Sequence, residues 1–125
     1  MAYKIESKRA YVETLRITGR RALPLFVHVN VSVDTLTAKA KPAVDAMQRA
    51  GKKYTASKDN DVDAFKEFTD SIDSVFKIVF GERKYARVLK YYDGEYIEML
   101  SDLTPFIRDS VTPAIQKALS DERRK

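Results

Sequence analysis

The sequence predicts an α+β fold in which an N-terminal β-hairpin is followed by three to five helices, helix being dominant. Three observations carry this expectation. Leu25, Val27, Val29, Val31 and Val33 recur at every second residue, the period at which a strand sends its side chains to one face. Val62, Phe65, Phe68, Ile72, Val75, Phe76 and Val79 recur mostly at steps of three and four, which draws one apolar stripe along a helix. A chain of 125 residues with 44% apolar content can fill one hydrophobic core but not two, so hairpin and helices are expected to share a single domain.

Residues 1–10 are polar and basic without a sustained period and are expected to form a mobile arm. The hairpin is expected over 11–33. Its first strand is YVETLRIT, Tyr11 to Thr18, and Gly19-Arg20-Arg21 supplies a turn. The Val-rich strand follows, with Pro24 suited to its start because proline cannot donate to a ladder. A two-stranded sheet is marginal alone, so its Val face must pack on helices or on a neighbouring chain.

The helical part is expected over 34–119. Asp34 or Thr35 can cap a first helix with apolar positions Leu36, Ala40, Val44, Met47 and Ala50, ending near Gly51. Pro42 falls inside that pattern and implies either a kink or a true start at Lys41. The stretch 51–61, GKKYTASKDND, carries no periodic apolar set and is expected to be a loop. Asn60 or Asp61 then opens the strongest helix, which should anchor the core, with Gly81 as a left-handed stop after Phe80. A shorter helix, Glu82 to Tyr92, is ended by Asp93-Gly94. From Glu95 onward Met99, Leu100, Leu103, Phe106, Ile107, Val111, Ile115 and Leu119 keep helical spacing. Thr104-Pro105 and Thr112-Pro113 each read as a cap with a first-turn proline that starts a new segment. The tail 120–125 is charged and expected to fray.

Charge changes sign along the chain. Residues 1–58 hold 12 bases and 4 acids, 59–105 hold 6 and 11, and 106–125 hold 5 and 3, so the stretches carry +8, −5 and +2. The basic stretch invites a nucleic-acid reading, yet its bases come as isolated pairs without interleaved aromatics, and no zinc-finger, KH or RNP pattern occurs. Nucleic acid is therefore not expected as a partner; opposite charges can instead order subunits head to tail. No stretch approaches a membrane span, and MAYKIESKRA lacks an apolar signal core, so no membrane association is expected.

Enzymatic chemistry finds little support. With no Cys in the chain, thiolate nucleophiles and cysteine-based metal sites are excluded. The single histidine, His28, lies on the polar side of the Val-rich strand with no nucleophile or acid arranged around it. Asp59, Asp61 and Asp63 lack the glycine and closing glutamate of a calcium loop, and Glu95, Glu98 and Asp102 at helical spacing describe a solvated face. There is no Walker loop or GxGxxG. No catalytic residue, metal or cofactor is expected, and the chain is expected not to be an enzyme.

A surface for other proteins remains. Residues 85–96, YARVLKYYDGEY, hold four of the seven tyrosines, a residue favoured at interfaces for its apolar ring and polar tip. Neighbours on a helix point about 100° apart, so Tyr91 and Tyr92 are not expected to share one core. Phe80, Tyr85, Tyr91, Tyr92 and Tyr96 are the expected partner-binding residues, and Val27, Val29 and Val31 the expected oligomer edge.

The run from Phe65 to Ile107, FKEFTDSIDSVFKIVFGERKYARVLKYYDGEYIEMLSDLTPFI, resembles the C-terminal helical half of tail assembly chaperones from long-tailed phages of Gram-positive bacteria. The corner Val79-Phe80-Gly81-Glu82 and the stretch Pro105-Phe106-Ile107 carry the likeness, and the strand from Leu25 to Val33 with its following helix is similar to the family's N-terminal layout. The first 22 residues are longer than the family pattern. The resemblance implies a non-enzymatic protein of the host cytoplasm that binds the tape measure protein, recruits tail tube protein around it and forms a homo-oligomer. A structural virion component, as a tail completion or head–tail connector subunit, and a basic nucleic-acid-binding protein are the alternatives.

Overall fold

The computed structural model describes residues 10–58 and 61–123. A two-stranded antiparallel hairpin, β1 (Ala10–Ile17) and β2 (Leu25–Ser32), precedes four continuous helical bodies. The first consists of α1 (Val33–Thr35), a π-helical turn (Leu36–Ala40) and α2 (Lys41–Ala56). Then come α3 (Val62–Phe80), α4 (Glu82–Tyr91), and a last body of α5 (Tyr96–Phe106), a second π-helical turn (Ile107–Val111) and α6 (Thr112–Arg123). The expected arm lies outside the described residues except for Ala10, which opens β1. The helical backbone continues to Arg123, past the end of its apolar spacing.

The hairpin register pairs Tyr11 with Val31, Thr14 with His28 and Ile17 with Leu25. Val27, Val29 and Val31 point inward and are buried beneath α3, which packs against β2 as well as α2, α4 and α5. These three valines therefore belong to the monomer's own core and are not a free edge for another copy; a two-stranded sheet gains independent stability only by such packing. The apolar stripe of α3 makes that helix the hub, as its periodicity requires: Phe68, Ile72, Val75, Phe76, Val79 and Phe80 are all buried.

Local signals explain most of the boundaries. Asp61 caps α3, its carboxylate accepting from the Ala64 amide at 2.9 Å. Gly81 ends that helix with φ +84° and ψ 155°, a positive-φ but extended conformation and not the expected left-handed helical one. Asp93 (φ +54°) and Gly94 (φ +75°) turn the chain from α4 into α5.

Two of the expected boundaries are corrected. α2 runs through Gly51 to Ala56, so the first six residues of the expected loop are helical. Gly51 faces α3, where a Cβ would stand 3.2 Å from the Phe68 ring, and Tyr54 continues the apolar period by packing on Phe65 and Phe68. Glycine here permits close approach of two helices instead of stopping one. Thr104-Pro105 starts no helix: Pro105 lies within α5, whose following amide, that of Ile107, is shared between the Leu103 and Thr104 carbonyls. The Lys41 start of α2 and the Thr112-Pro113 start of α6 are as expected; each follows a π turn, where Lys41 donates to Leu36 and Thr112 donates to Ile107. A helical proline lacks the N–H for residue i−4 and crowds its carbonyl; one extra residue in the preceding turn relieves both faults without breaking the helix.

Candidate functional site

The tyrosine corner is interior. Tyr85, Tyr91, Tyr92 and Phe80 are all buried, Tyr92 completely, and Tyr96 is half-buried. This overturns the expectation that Tyr91 or Tyr92 leaves a ring to a partner. The helix stops at Tyr91, and Tyr92 (φ −88°, ψ 4°) leaves the helical conformation, so the two rings find separate covers. They meet edge to face at 5.3 Å.

Each phenol is used within the chain. Tyr92 donates to Asp102 at 2.9 Å, Tyr96 donates to Asp73 at 3.0 Å, and Tyr85 donates to the same Asp73 carboxylate. Burial first, and then the carboxylate acceptors, push the phenols of Tyr85, Tyr92 and Tyr96 upward in pKa, because an anion there would be poorly solvated and beside another anion. Tyr91 accepts from the Arg20 and Arg21 amides at 3.3 and 3.4 Å, and the Arg21 guanidinium lies 5.8 Å from its ring centroid. Arg21 donates to the carbonyls of Tyr91 and Lys90 and to Asp93, while Arg20 donates to Asp93 and Glu98.

The corner is thus a clasp that ties the hairpin turn to the α4–α5 junction. It joins the basic first stretch to the acidic second within one chain, as does Lys53 with Glu67. The acids Glu95, Glu98 and Asp102 lie exposed, and among the described residues no three acidic or imidazole groups converge as a metal site. His28 is exposed and bonded through Nδ1 to Thr14 at 3.0 Å, a cross-strand surface pair.

The open apolar surface lies elsewhere. Between α2, α3 and the last helical body runs a groove of about 420 Å³ floored by Met47, Gly51, Phe68, Leu100 and Ile107, with Gln48, Thr104, Arg108 and Thr112 at its rim. Phe65 and Val62 extend apolar surface from it, Val62 being 74% exposed, and Tyr54 lines a hollow with both. Sequence reasoning missed this groove because its floor combines residues assigned to the core with one glycine assigned to a helix end. The usable signal was the glycine itself, which leaves a shallow step where a larger side chain would fill the gap. No family model, curated protein or solved structure matches the chain.

Proposed function

We propose that the chain is a non-enzymatic tail assembly chaperone that holds an apolar helical segment of a tape measure protein and, as an oligomer, recruits tail tube protein around it. The single observation that supports this best is the groove over Met47, Gly51, Phe68, Leu100 and Ile107. It is mainly apolar on its floor and has Arg108 as the one charged residue in its lining, which suits an amphipathic helix laying its apolar face into a hydrophobic channel. The tyrosine corner no longer supplies the docking surface; its part is to hold α4, α5 and the hairpin turn in place. Coating a long helical partner requires only weak binding at each subunit, because linked contacts reinforce one another.

Co-expression with the tape measure reading frame tests this. The wild-type chain should keep that protein in the soluble fraction, whereas Gln48→Glu or Thr104→Arg, both exposed at the groove, should leave it insoluble with little change in the variants' own melting temperature. Equal rescue by wild type and groove variants would refute the assignment of the site.

A further inference from the structure

The two long edges of the hairpin are treated differently by the rest of the fold. Beside β2 lies α4: Lys84 donates to the His28 carbonyl, and the Arg20–Arg21 turn is pinned to Tyr91 and Asp93. A His28 carbonyl reached from that side belongs to a residue pair whose backbone groups point away from each other. The short side-chain contact between Thr14 and His28, 3.0 Å, fits the closer spacing of such pairs. By alternation the N–H and C=O groups of Val12, Thr14 and Arg16 face out along the opposite edge, that of β1. Among the described residues no backbone or side-chain hydrogen bond reaches them from outside the hairpin.

Beneath this free edge lie two hollows of about 420 and 430 Å³. One is lined from the helices by Tyr92, Leu103 and Phe106 together with Asp102, the other by Leu36, Ala114 and Ala118 together with Lys117. A Tyr11–Ser110 hydrogen bond stands between them, Ser110 being one turn from both Phe106 and Ala114. The hollows are separated along β1 by roughly four or five residues of extended chain. We infer that β1 accepts a third strand from a partner protein: an extended segment whose backbone pairs with Val12, Thr14 and Arg16 and whose inward apolar side chains, at positions i and i+4, fill the two hollows.

This rests on the protein-binding reading above and gives that partner a second, extended element. A second copy of this chain is a poor occupant. In it, Tyr11, Leu15 and Ile17 are already packed on their own core, which leaves only Glu13 on that face of β1 to enter a hollow.

The probe is a random dodecapeptide library displayed on phage and selected against the immobilised full-length protein, followed by amide hydrogen exchange with the enriched peptides. Enriched peptides should carry apolar residues at i and i+4 with no intervening proline and should slow exchange at Val12, Thr14 and Arg16 at least tenfold. Thr14→Pro, which removes an outward N–H from an edge where proline is tolerated, should weaken them tenfold or more with the protein still folded. Should that variant not fold, exchange in the unaltered protein decides the matter. Helically patterned peptides that protect α2 and α3 would overturn the strand and leave the proposed function standing; no enrichment of either pattern would count against both. Slow exchange at these three amides in the dilute free monomer, or its appearance on self-association, would overturn the inference in favour of an internal or a self-paired edge.

Discussion

Replacing Tyr92 separates an interior clasp from a docking surface. Its side chain is completely buried, stacked edge to face on Tyr91 at 5.3 Å and bonded to Asp102 at 2.9 Å. Truncating a buried aromatic to alanine removes about 3–5 kcal/mol, transfer and cavity contributions together. A domain of this length is stable by roughly 6–19 kcal/mol, so Tyr92→Ala should lose a large part of the total. Its melting temperature should fall by about 9–25 °C, taking roughly 3–5 °C per kcal/mol at this size. Tyr92→Phe keeps the ring and gives up one hydrogen bond to an exposed carboxylate, so its cost should stay near 1 kcal/mol. Urea denaturation followed by circular dichroism, with an unchanged slope against denaturant to confirm comparable unfolded states, measures both. A Tyr92→Ala protein that melts like wild type but binds its partner poorly would refute the interior assignment and return the ring to a docking surface.

Three further outcomes follow from the same geometry. Tyr11, Tyr85, Tyr92 and Tyr96 all hold their phenols above the ordinary value, burial being the largest cause. A raised folded-state pKa contributes stability that is complete below the unfolded value near 10 and is lost as pH rises beyond it. Denaturation from pH 8 to 11.5 should show stability falling by at most about 1.4 kcal/mol per pH unit per tyrosine, with a shallower fall in the Tyr85→Phe, Tyr92→Phe double variant; identical slopes would contradict this origin. Gly81→Ala meets no atom within 4 Å, so only its φ of +84° resists, and calorimetry should register a loss of about 1–3 kcal/mol. Asp61→Ala removes the α3 cap and should cost about 1 kcal/mol by urea denaturation, with amide exchange quickening first at Ala64.

The legible parts of the fold were those decided by neighbours in sequence. The valines of β2, the α3 stripe, the Asp61 cap and the Asp93-Gly94 exit each state their structure within a few residues, and the α+β class with its hairpin and helices followed from them. What was not legible depended on contacts across the chain. Gly51 looks like a helix stop until Phe68 is placed beside it. Pro42 and Pro113 do mark the starts of α2 and α6, but the π turns that join those helices to the preceding ones without a break are not visible in the spacing. Helical spacing denied Tyr91 and Tyr92 a common core, but the chain leaves the helix after Tyr91 and both rings enter the same core in contact with each other. The candidate groove was illegible for the same reason, since no stretch of sequence contains more than a fraction of its floor.

The placement of the tyrosines also constrains where recognition can occur. A surface can serve a partner only if the monomer has not already used it, and here the two most conspicuous sequence features are both used. The Val face is sealed by α3, and the phenols are committed to Asp73, Asp102 and the Arg20–Arg21 turn. Mutating those residues would impair binding only by loosening the scaffold, so loss of function there would be accompanied by loss of stability. The groove over Phe68 and Leu100 and the outward backbone of β1 have the opposite property. They include residues exposed in the monomer, so changes at Gln48, Thr104 or Thr14 should separate binding from folding. That separation, measured as binding against melting temperature over both sets of variants, discriminates a scaffold residue from a contact residue whatever the partner's sequence.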